Sequence, residues 1–328
     1  MLQYVFKRIL YMIPTLIFIS MISFFIIQLP PGDYVTTLAA TFASQGEAVD
    51  HATVEQLRQT YGLDRPIYYQ YLLWISKIVF RGDFGQSFDW GSPVSDLIWG
   101  RLGLTLIISI SSLLFIWAIA LPIGVYSAVK KYSIGDYIAT FVGFIGLAIP
   151  NFLLALILMY IGFRYFGQSV GGLFSPQFID APWSWAKFLD LLSHLWIPVV
   201  VIGTAGTAGL IRIMRANLLD ELFRPYVTTA RAKGLKERNL IRKYPVRLAL
   251  NPFISTVGWV LPTLISGEVI VSIVLGLPTT GPLLLRALLA QDMYLAGAFI
   301  LLLAVLTVIG TLISDLLLAA LDPRIRYS

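Results

Sequence analysis

The feature that most constrains this chain is the recurrence of long apolar runs between charged segments. A helix needs about 20 apolar residues to cross a bilayer. Six runs meet that length: residues 9–29, 102–126, 138–163, 195–214, 253–276 and 295–318. Hydrophobic residues make up 57% of the 328 positions and charged residues 13%, with a mean hydropathy of +0.79, which is too apolar for a soluble globule. The runs predict an all-α membrane protein with six transmembrane helices.

The basic residues predict how these helices are oriented. Lys7 and Arg8 precede the first run, which has 21 residues and lacks the cleavage site of a secretory signal. Residues 215–252 hold nine Lys/Arg against three acids. Because cytoplasmic loops carry the excess of Lys/Arg, we expect both termini and this segment in the cytoplasm. The net charge of +6 therefore reflects membrane orientation, and nucleic acid is not an expected partner.

The runs also predict the domain organisation. Residues 1–29 form an N-terminal transmembrane helix, 30–101 an external (periplasmic-side) subdomain, and 102–328 a five-helix core that includes the basic segment 215–252. Residues 30–101 contain both acidic and basic side chains. The segment is too long to be a loop without secondary structure, so we expect it to fold as a subdomain.

Proline and glycine predict local features of this organisation. Pro66 is expected to start a helix in the external subdomain, and Pro150 to kink the third run. Gly203, Gly206 and Gly209 recur every three residues in the fourth run. They predict either a close approach to another helix or a gating hinge.

A short helix is predicted within the basic segment 215–252. Pro225 suits a first turn, residues 226–233 contain no breaker, and Gly234 lies where a helix would end on a left-handed residue. About eight residues make a helix roughly 12 Å long, too short to span a bilayer and marginal alone. The segment is therefore either an ordinary cytoplasmic loop or a helix that docks on a partner.

Three stretches carry a resemblance to a known family. The first holds Tyr226, Thr229, Ala230, Arg231, Ala232, Lys233, Gly234 and Leu235, followed by Arg247, Ala249 and Pro252. The second holds Gly62, Leu63, Asp64, Pro66, Gln70, Tyr71, Trp74, Gly82, Asp83, Gly85 and Ser87, and the third is LDPRIRY near the C-terminus. Together they resemble, over essentially the whole chain, the B-type permease of ABC importers of the oligopeptide/dipeptide/nickel class.

The resemblance implies that other chains supply the energy for transport. In that family the short helix is a coupling helix that inserts into a groove on a separate ATPase subunit, which implies that residues 215–252 form a coupling segment. The residues that correspond here are Tyr226, Thr229, Ala230, Arg231, Ala232, Lys233, Gly234 and Leu235. Small Ala230 and Ala232 would allow close approach, while Arg231 and Lys233 would offer charged contacts.

The resemblance also implies the partners and the location. The partners are a homologous permease (as a heterodimer), two ABC ATPase subunits, an external substrate-binding protein and membrane lipid. ATP and Mg²⁺ would be bound by the ATPases, so no cofactor is expected in this chain. The location is the bacterial or archaeal cell (inner) membrane.

The substrate stays open between oligopeptides and short oligosaccharides. The family usually carries an acid shortly before a turn outside the fifth run. Here Ser272 occupies that column and Glu268 lies one helical turn earlier. A carboxylate within a span faces the bundle interior or a water-filled path, so Glu268, together with Ser272, is expected to line the translocation path or to make a structural hydrogen bond.

Catalytic motifs are absent from the sequence. It contains no GxxxxGK[ST] phosphate loop, HExxH, GxSxG or pair of histidines at metal spacing, and it has no Cys. No catalytic or metal-binding residue is predicted, and the chain cannot hydrolyse ATP alone. The main alternative function, an ion-coupled secondary transporter, would be expected to show inverted repeats, and none is evident.

Overall fold

The computed structural model describes residues 2–29, 63–169, 171–256 and 269–321, with residues 35, 36, 39, 54–56, 58, 59, 258 and 263. Its longer helices are α1 (Leu2–Ile27), α2 (Ile67–Arg81), α3 (Val94–Val129), α4 (Ile134–Ala148), α5 (Asn151–Phe166), α6 (Trp185–Leu222), α7 (Pro225–Ala232), α8 (Glu237–Lys243), α9 (Pro245–Ser255), α10 (Val269–Val274), α11 (Thr280–Leu289) and α12 (Met293–Leu321). A 3₁₀ turn covers Pro176–Phe178. Within these described ranges, β-type pairing is limited to an isolated bridge between Gln86 and Pro93. The all-α prediction is confirmed for this part of the chain.

Among the residues that the structure describes, four helices are long and apolar enough to cross a membrane: α1, α3, α6 and α12. The α4–α5 pair would make a fifth span if its two helices are taken together. In the predicted fifth run, 253–276, residues 257, 259–262 and 264–268, between α9 and α10, lie outside the described residues. The count of six therefore stays a prediction.

Pro150 breaks the third apolar run instead of kinking it, which corrects the predicted single kinked helix. α4 ends at Ala148, α5 begins at Asn151, and the two helices meet at 99°. A residue before proline is driven out of the helical region, and Ile149 has φ −78° and ψ 122°. The Pro150 carbonyl then accepts from the amides of Leu153 and Leu154 and starts α5.

The chain divides into two compact units. The first comprises residues 7–103 and 279–306, and the second comprises 1–6, 104–278 and 307–328. The predicted boundaries at residues 29/30 and 101/102 stay predictions, because much of the segment 30–62 lies outside the described residues. Pro66 does precede a helix, since α2 begins at Ile67 and ends at Gly82 in a left-handed conformation (φ 64°).

Buried aromatic and polar groups hold the first unit together. Phe24 of α1 packs against Tyr71 and Trp74 of α2, with ring centroids 5.5 and 5.3 Å away. Asp292, fully buried, accepts from the Ser87 hydroxyl at 2.5 Å and also caps α12 by accepting from the Leu295 amide. Burial raises the pKa of Asp292 above the ordinary range of a carboxyl group.

The second unit is built around α6, whose glycines bring it against α3. A Cβ atom on Gly203 would lie 2.4 Å from the Phe115 ring, and one on Gly206 would lie 2.8 Å from Ile116. Both distances are shorter than real Cβ contacts, so glycine allows this approach without a shift of α3 side chains, and the close-packing prediction is confirmed at these two positions. Gly209 has open space around it. α6 itself runs unbroken from Trp185 to Leu222.

Candidate functional site

The short helix predicted in the basic segment is α7. Pro225 occupies its first turn and the helix ends at Ala232. Gly234 has φ +76°, and its amide donates to the Arg231 carbonyl while the Leu235 amide donates to the Ala230 carbonyl. These two bonds form a Schellman motif, which satisfies the last carbonyls of the helix. The start and end of α7 are therefore encoded by local residues, as the sequence predicted.

One face of α7 is buried by the chain itself. Val227 is fully buried and Ala230 is 9% exposed, and both pack with Leu240 of α8, supported by Tyr226 and Ile241. Ala230 therefore faces α8, and its small size serves this internal contact. Because an eight-residue helix is marginal alone, this contact gives α7 the support that its length does not provide.

The opposite face of α7 is exposed. It carries Thr228, Thr229, Arg231 and Ala232, and Lys233 and Leu235 beyond the helix are exposed as well. Thr229 donates its hydroxyl to the Pro225 carbonyl. We refer to Thr228, Thr229, Arg231 and Ala232 as the outer face of α7.

An ion pair fixes α7 to the first turn of α8. Arg231 donates from Nη2 to Glu237 Oε1 at 2.6 Å and from Nε to Oε2 at 3.0 Å. The bidentate geometry raises the pKa of Arg231 and lowers that of Glu237. Both side chains are about half exposed, so the pair adds little to stability but defines an orientation.

A second tie joins α7 to the end of α6. The Tyr226 hydroxyl donates to Glu221 Oε2 at 2.6 Å. Burial, followed by this bond to a carboxylate, raises the pKa of Tyr226 above its usual value. α7 is thus linked on one side to a candidate membrane span and on the other to α8.

Arg215, at the start of the predicted coupling segment, anchors α6 to α4. Its guanidinium donates from Nε and Nη2 to the two carboxylate oxygens of Asp136 at 2.9 and 2.8 Å. Asp136 is 2% exposed and also accepts from the Tyr132 amide. The sequence analysis assigned Arg215 only to membrane orientation and missed this pair.

Two further residues, Ser272 and Glu268, were predicted to line the translocation path. Ser272 is buried in α10. Glu268 lies outside the described residues. No group of metal-ligating side chains occurs among the residues that the structure describes.

Sequence reasoning also missed the Arg231–Glu237 pair, although a signal was present. A left-handed glycine brings the residues on either side of it together, and here it lies between opposite charges six positions apart. No comparable signal links Asp136 to Arg215, which are 79 positions apart.

Taken together, the described contacts attach α7 to the rest of the chain and leave its outer face exposed. Its inner face and both ends are held by the same chain, while its outer face carries hydroxyls, a methyl and a cation. Such a surface is suited to contact with another protein and holds no group arranged for catalysis.

Comparisons with known proteins match the whole chain. The model of the family described as binding-protein-dependent transport system inner membrane component matches residues 120–327, and the model of its N-terminal part matches residues 1–110. The oligopeptide transport system permease protein AppB of Bacillus subtilis (strain 168) is 40% identical, with 100% of both chains covered. The dipeptide transport system permease protein DppB of Escherichia coli (strain K12) is 31% identical, with 100% of this chain and 99% of its own covered. The glutathione transport system permease protein GsiC of the same strain is 32% identical, with 100% of both covered.

Proposed function

The chain belongs to the family of binding-protein-dependent transport system inner membrane components, as a B-type permease of ABC importers, and we propose that it forms a translocation path for oligopeptides with a homologous permease. It is a multi-pass inner-membrane subunit and not an enzyme, since ATP is hydrolysed by a separate subunit in such importers. Family membership removes the ion-coupled secondary transporter from consideration.

Peptides are proposed over oligosaccharides because of the chemistry that the relatives' names share. Oligopeptides, dipeptides and glutathione are all peptidic. Ser272 and Glu268 remain the proposed residues of the path. A hydroxyl and a carboxylate can accept from the amide and ammonium groups that a peptide presents.

The exposed outer face of α7 is the observation that carries the proposed coupling to an ATPase subunit. A partner groove could receive Thr228, Thr229 and Ala232, while Arg231 would meet an acid at its rim. Ala230, which the sequence analysis also assigned to this contact, would act indirectly by seating α7 on α8.

The proposed mechanism follows from the ties of α7. Closure of two ATPases around ATP and Mg²⁺ would displace α7. The hydrogen bond from Tyr226 to Glu221 would transmit this displacement to α6, and the apolar contact between α7 and α8 would transmit it toward α9. The spans would then alternate between inward-open and outward-open arrangements. An external binding protein would deliver substrate to residues 30–101 and the other outer loops.

Uptake by the reconstituted complex tests the proposal. Proteoliposomes with both permeases, both ATPases and the binding protein would be supplied with a labelled oligopeptide or a labelled short oligosaccharide of similar mass. We expect ATP-dependent uptake of the peptide only. Uptake of the oligosaccharide alone, or of either substrate without ATPases, would contradict it.

A further inference from the structure

An apolar groove of about 550 Å³ lies in the second unit, between α3, α4 and α6. Ile119, Pro122, Ile123, Ile138, Val142 and Ile211 are among the side chains that line it. Val142 and Ile138 are 59% and 57% exposed, so apolar surface along the groove has no cover within this unit. The groove does not contribute to the proposed coupling site.

The groove has the length of one membrane leaflet. It follows α3 from Phe115 to Tyr126 and α4 from Gly135 to Gly146. At 1.5 Å per residue each stretch is roughly 16 Å long. The hydrocarbon core of a bilayer is about 30 Å thick, so one leaflet is roughly 15 Å.

Small residues of α4 make room for the groove. Gly135, Ala139, Gly143 and Gly146 recur at helical spacing along its lining. A Cβ on Gly135 would lie 2.4 Å from the Tyr126 hydroxyl, and one on Gly146 would lie 2.7 Å from the Thr204 methyl. α4 therefore lies close to its neighbours at both ends of the groove.

One end of the groove is positively charged. The turn after α3 places Lys130 and Lys131, both exposed, next to the Tyr126 and Gly135 end. The nearest acid along the chain, Asp136, is buried and neutralised by the bidentate bonds from Arg215. With that pair neutral, Lys130 and Lys131 make this end positively charged.

The charge at its end distinguishes between two kinds of occupant. A helix of another chain matches this end only if it carries an acidic residue at the level of the two lysines. A single hydrocarbon chain is much thinner and needs no polar partner. The positively charged end would meet an anionic group at the membrane surface, where lysines are attracted to anionic lipid.

We propose that this groove binds one acyl chain of an anionic phospholipid, whose phosphate lies against Lys130, Lys131 and the Tyr126 hydroxyl. The site requires neither the transported substrate nor ATP. A bound lipid would fill the space beside the Asp136–Arg215 pair and support the packing of α4 on α6.

Native mass spectrometry of the complex, purified in mild detergent, can count the lipids that it retains. The complex would be delipidated and then supplied with phosphatidylglycerol or phosphatidylethanolamine with identical acyl chains. We expect the wild-type complex to retain phosphatidylglycerol preferentially. Lys130→Gln with Lys131→Gln should weaken its binding roughly 25-fold, since each lysine near an anionic surface contributes about 1 kcal/mol.

Matched variants separate the groove from the surrounding surface. Val142→Trp fills the groove and should abolish the preferred site. Ile145→Trp changes a similar residue of α4 that is 43% exposed and does not line the groove, so it should retain the lipid. Lys236→Gln with Lys243→Gln removes two exposed cations elsewhere and should also leave binding unchanged.

Three results would overturn the proposal. They are equal retention of the two lipids by the wild type, undiminished retention by Val142→Trp, and efficient crosslinking of Val142→Cys to the homologous permease. The last would identify a protein helix as the occupant, and it is interpretable because the chain has no native Cys. None of these results depends on which substrate is transported, so failure here is distinct from failure of the proposed function.

Discussion

Gly234 directs the chain as it leaves α7. Its φ of +76° is costly for a β-branched residue. Because nothing lies within 4 Å of a Cβ built on it, a valine there would strain the backbone without clashing with a neighbour. We expect Gly234→Val to abolish peptide uptake and substrate-stimulated ATP hydrolysis. Gly234→Asn should keep most activity, because asparagine tolerates the left-handed conformation.

The same substitution elsewhere provides a control for Gly234→Val. Gly82 ends α2 with φ +64° and also has nothing within 4 Å of a Cβ. Gly82→Val introduces similar strain away from α7, so the complex should still assemble with its ATPases and hydrolyse ATP at its substrate-independent rate. Equal loss in both variants would show that the effect of Gly234→Val is not specific to coupling.

Arg231 has two roles that a charge exchange can separate, one within the chain and one proposed toward the ATPase. Arg231→Glu places two carboxylates side by side and also reverses the charge on the outer face of α7. Arg231→Glu with Glu237→Arg restores the bidentate partners but keeps the reversal at position 231. We expect both the single and the double variant to lose ATPase assembly, measured by co-purification, because reversed charge opposes an acidic partner.

Glu237→Gln is the control for this exchange. It weakens the internal pair and leaves Arg231 in place, so the ATPases should still co-purify. Recovery of assembly in the double variant would show that Arg231 acts through Glu237 alone.

At the scale of elements, the sequence predicted those helix boundaries that a proline or glycine in the same turn determines. Pro225 and Gly234 bound α7, and Pro66 precedes α2, because start and stop residues act on their own turns. The 99° break at Pro150 was underestimated, since proline fixes where a helix is interrupted but neighbouring packing sets the angle. Asp136–Arg215 and the burial of Ala230 depend on which helices pack together, which hydrophobic runs do not specify.

The glycines of α6 allow a matched test of packing. A Cβ on Gly203 would meet the Phe115 ring at 2.4 Å, whereas Gly209 has open space. Gly203→Ala should therefore destabilise the protein by about 1–3 kcal/mol through overpacking. Gly209→Ala should be neutral or stabilising by up to about 1 kcal/mol, because alanine favours helix. Thermal unfolding in detergent measures both.

The gating-hinge interpretation is examined by the same pair of variants. If Gly209 provides a hinge, Gly209→Ala should slow peptide uptake without lowering the unfolding temperature. Normal uptake would leave close packing as the role of this stripe, carried by Gly203 and Gly206.

At the scale of the whole molecule, charge predicts how the chain is inserted. Of its 24 Lys/Arg, 16 lie on the predicted cytoplasmic side and eight on the outer side. The asymmetry is concentrated in the segment that contains α7 and α8, where an ATPase would have to dock. Membrane orientation and the proposed coupling therefore depend on the same residues, and a test of one constrains the other.

Single cysteines can establish this orientation because the chain has none of its own. Asp180 and Lys236 are exposed, on the predicted outer and cytoplasmic sides, and Ser328 is the C-terminal residue. In intact cells, Asp180→Cys should react with a membrane-impermeant maleimide, while Lys236→Cys and Ser328→Cys should react only after permeabilisation. An even number of spans puts Ser328 on the same side as the N-terminus, so labelling of Ser328→Cys from outside would reject six spans. Labelling of Lys236→Cys from outside would move α7 away from any cytoplasmic ATPase and reject the coupling proposal with it.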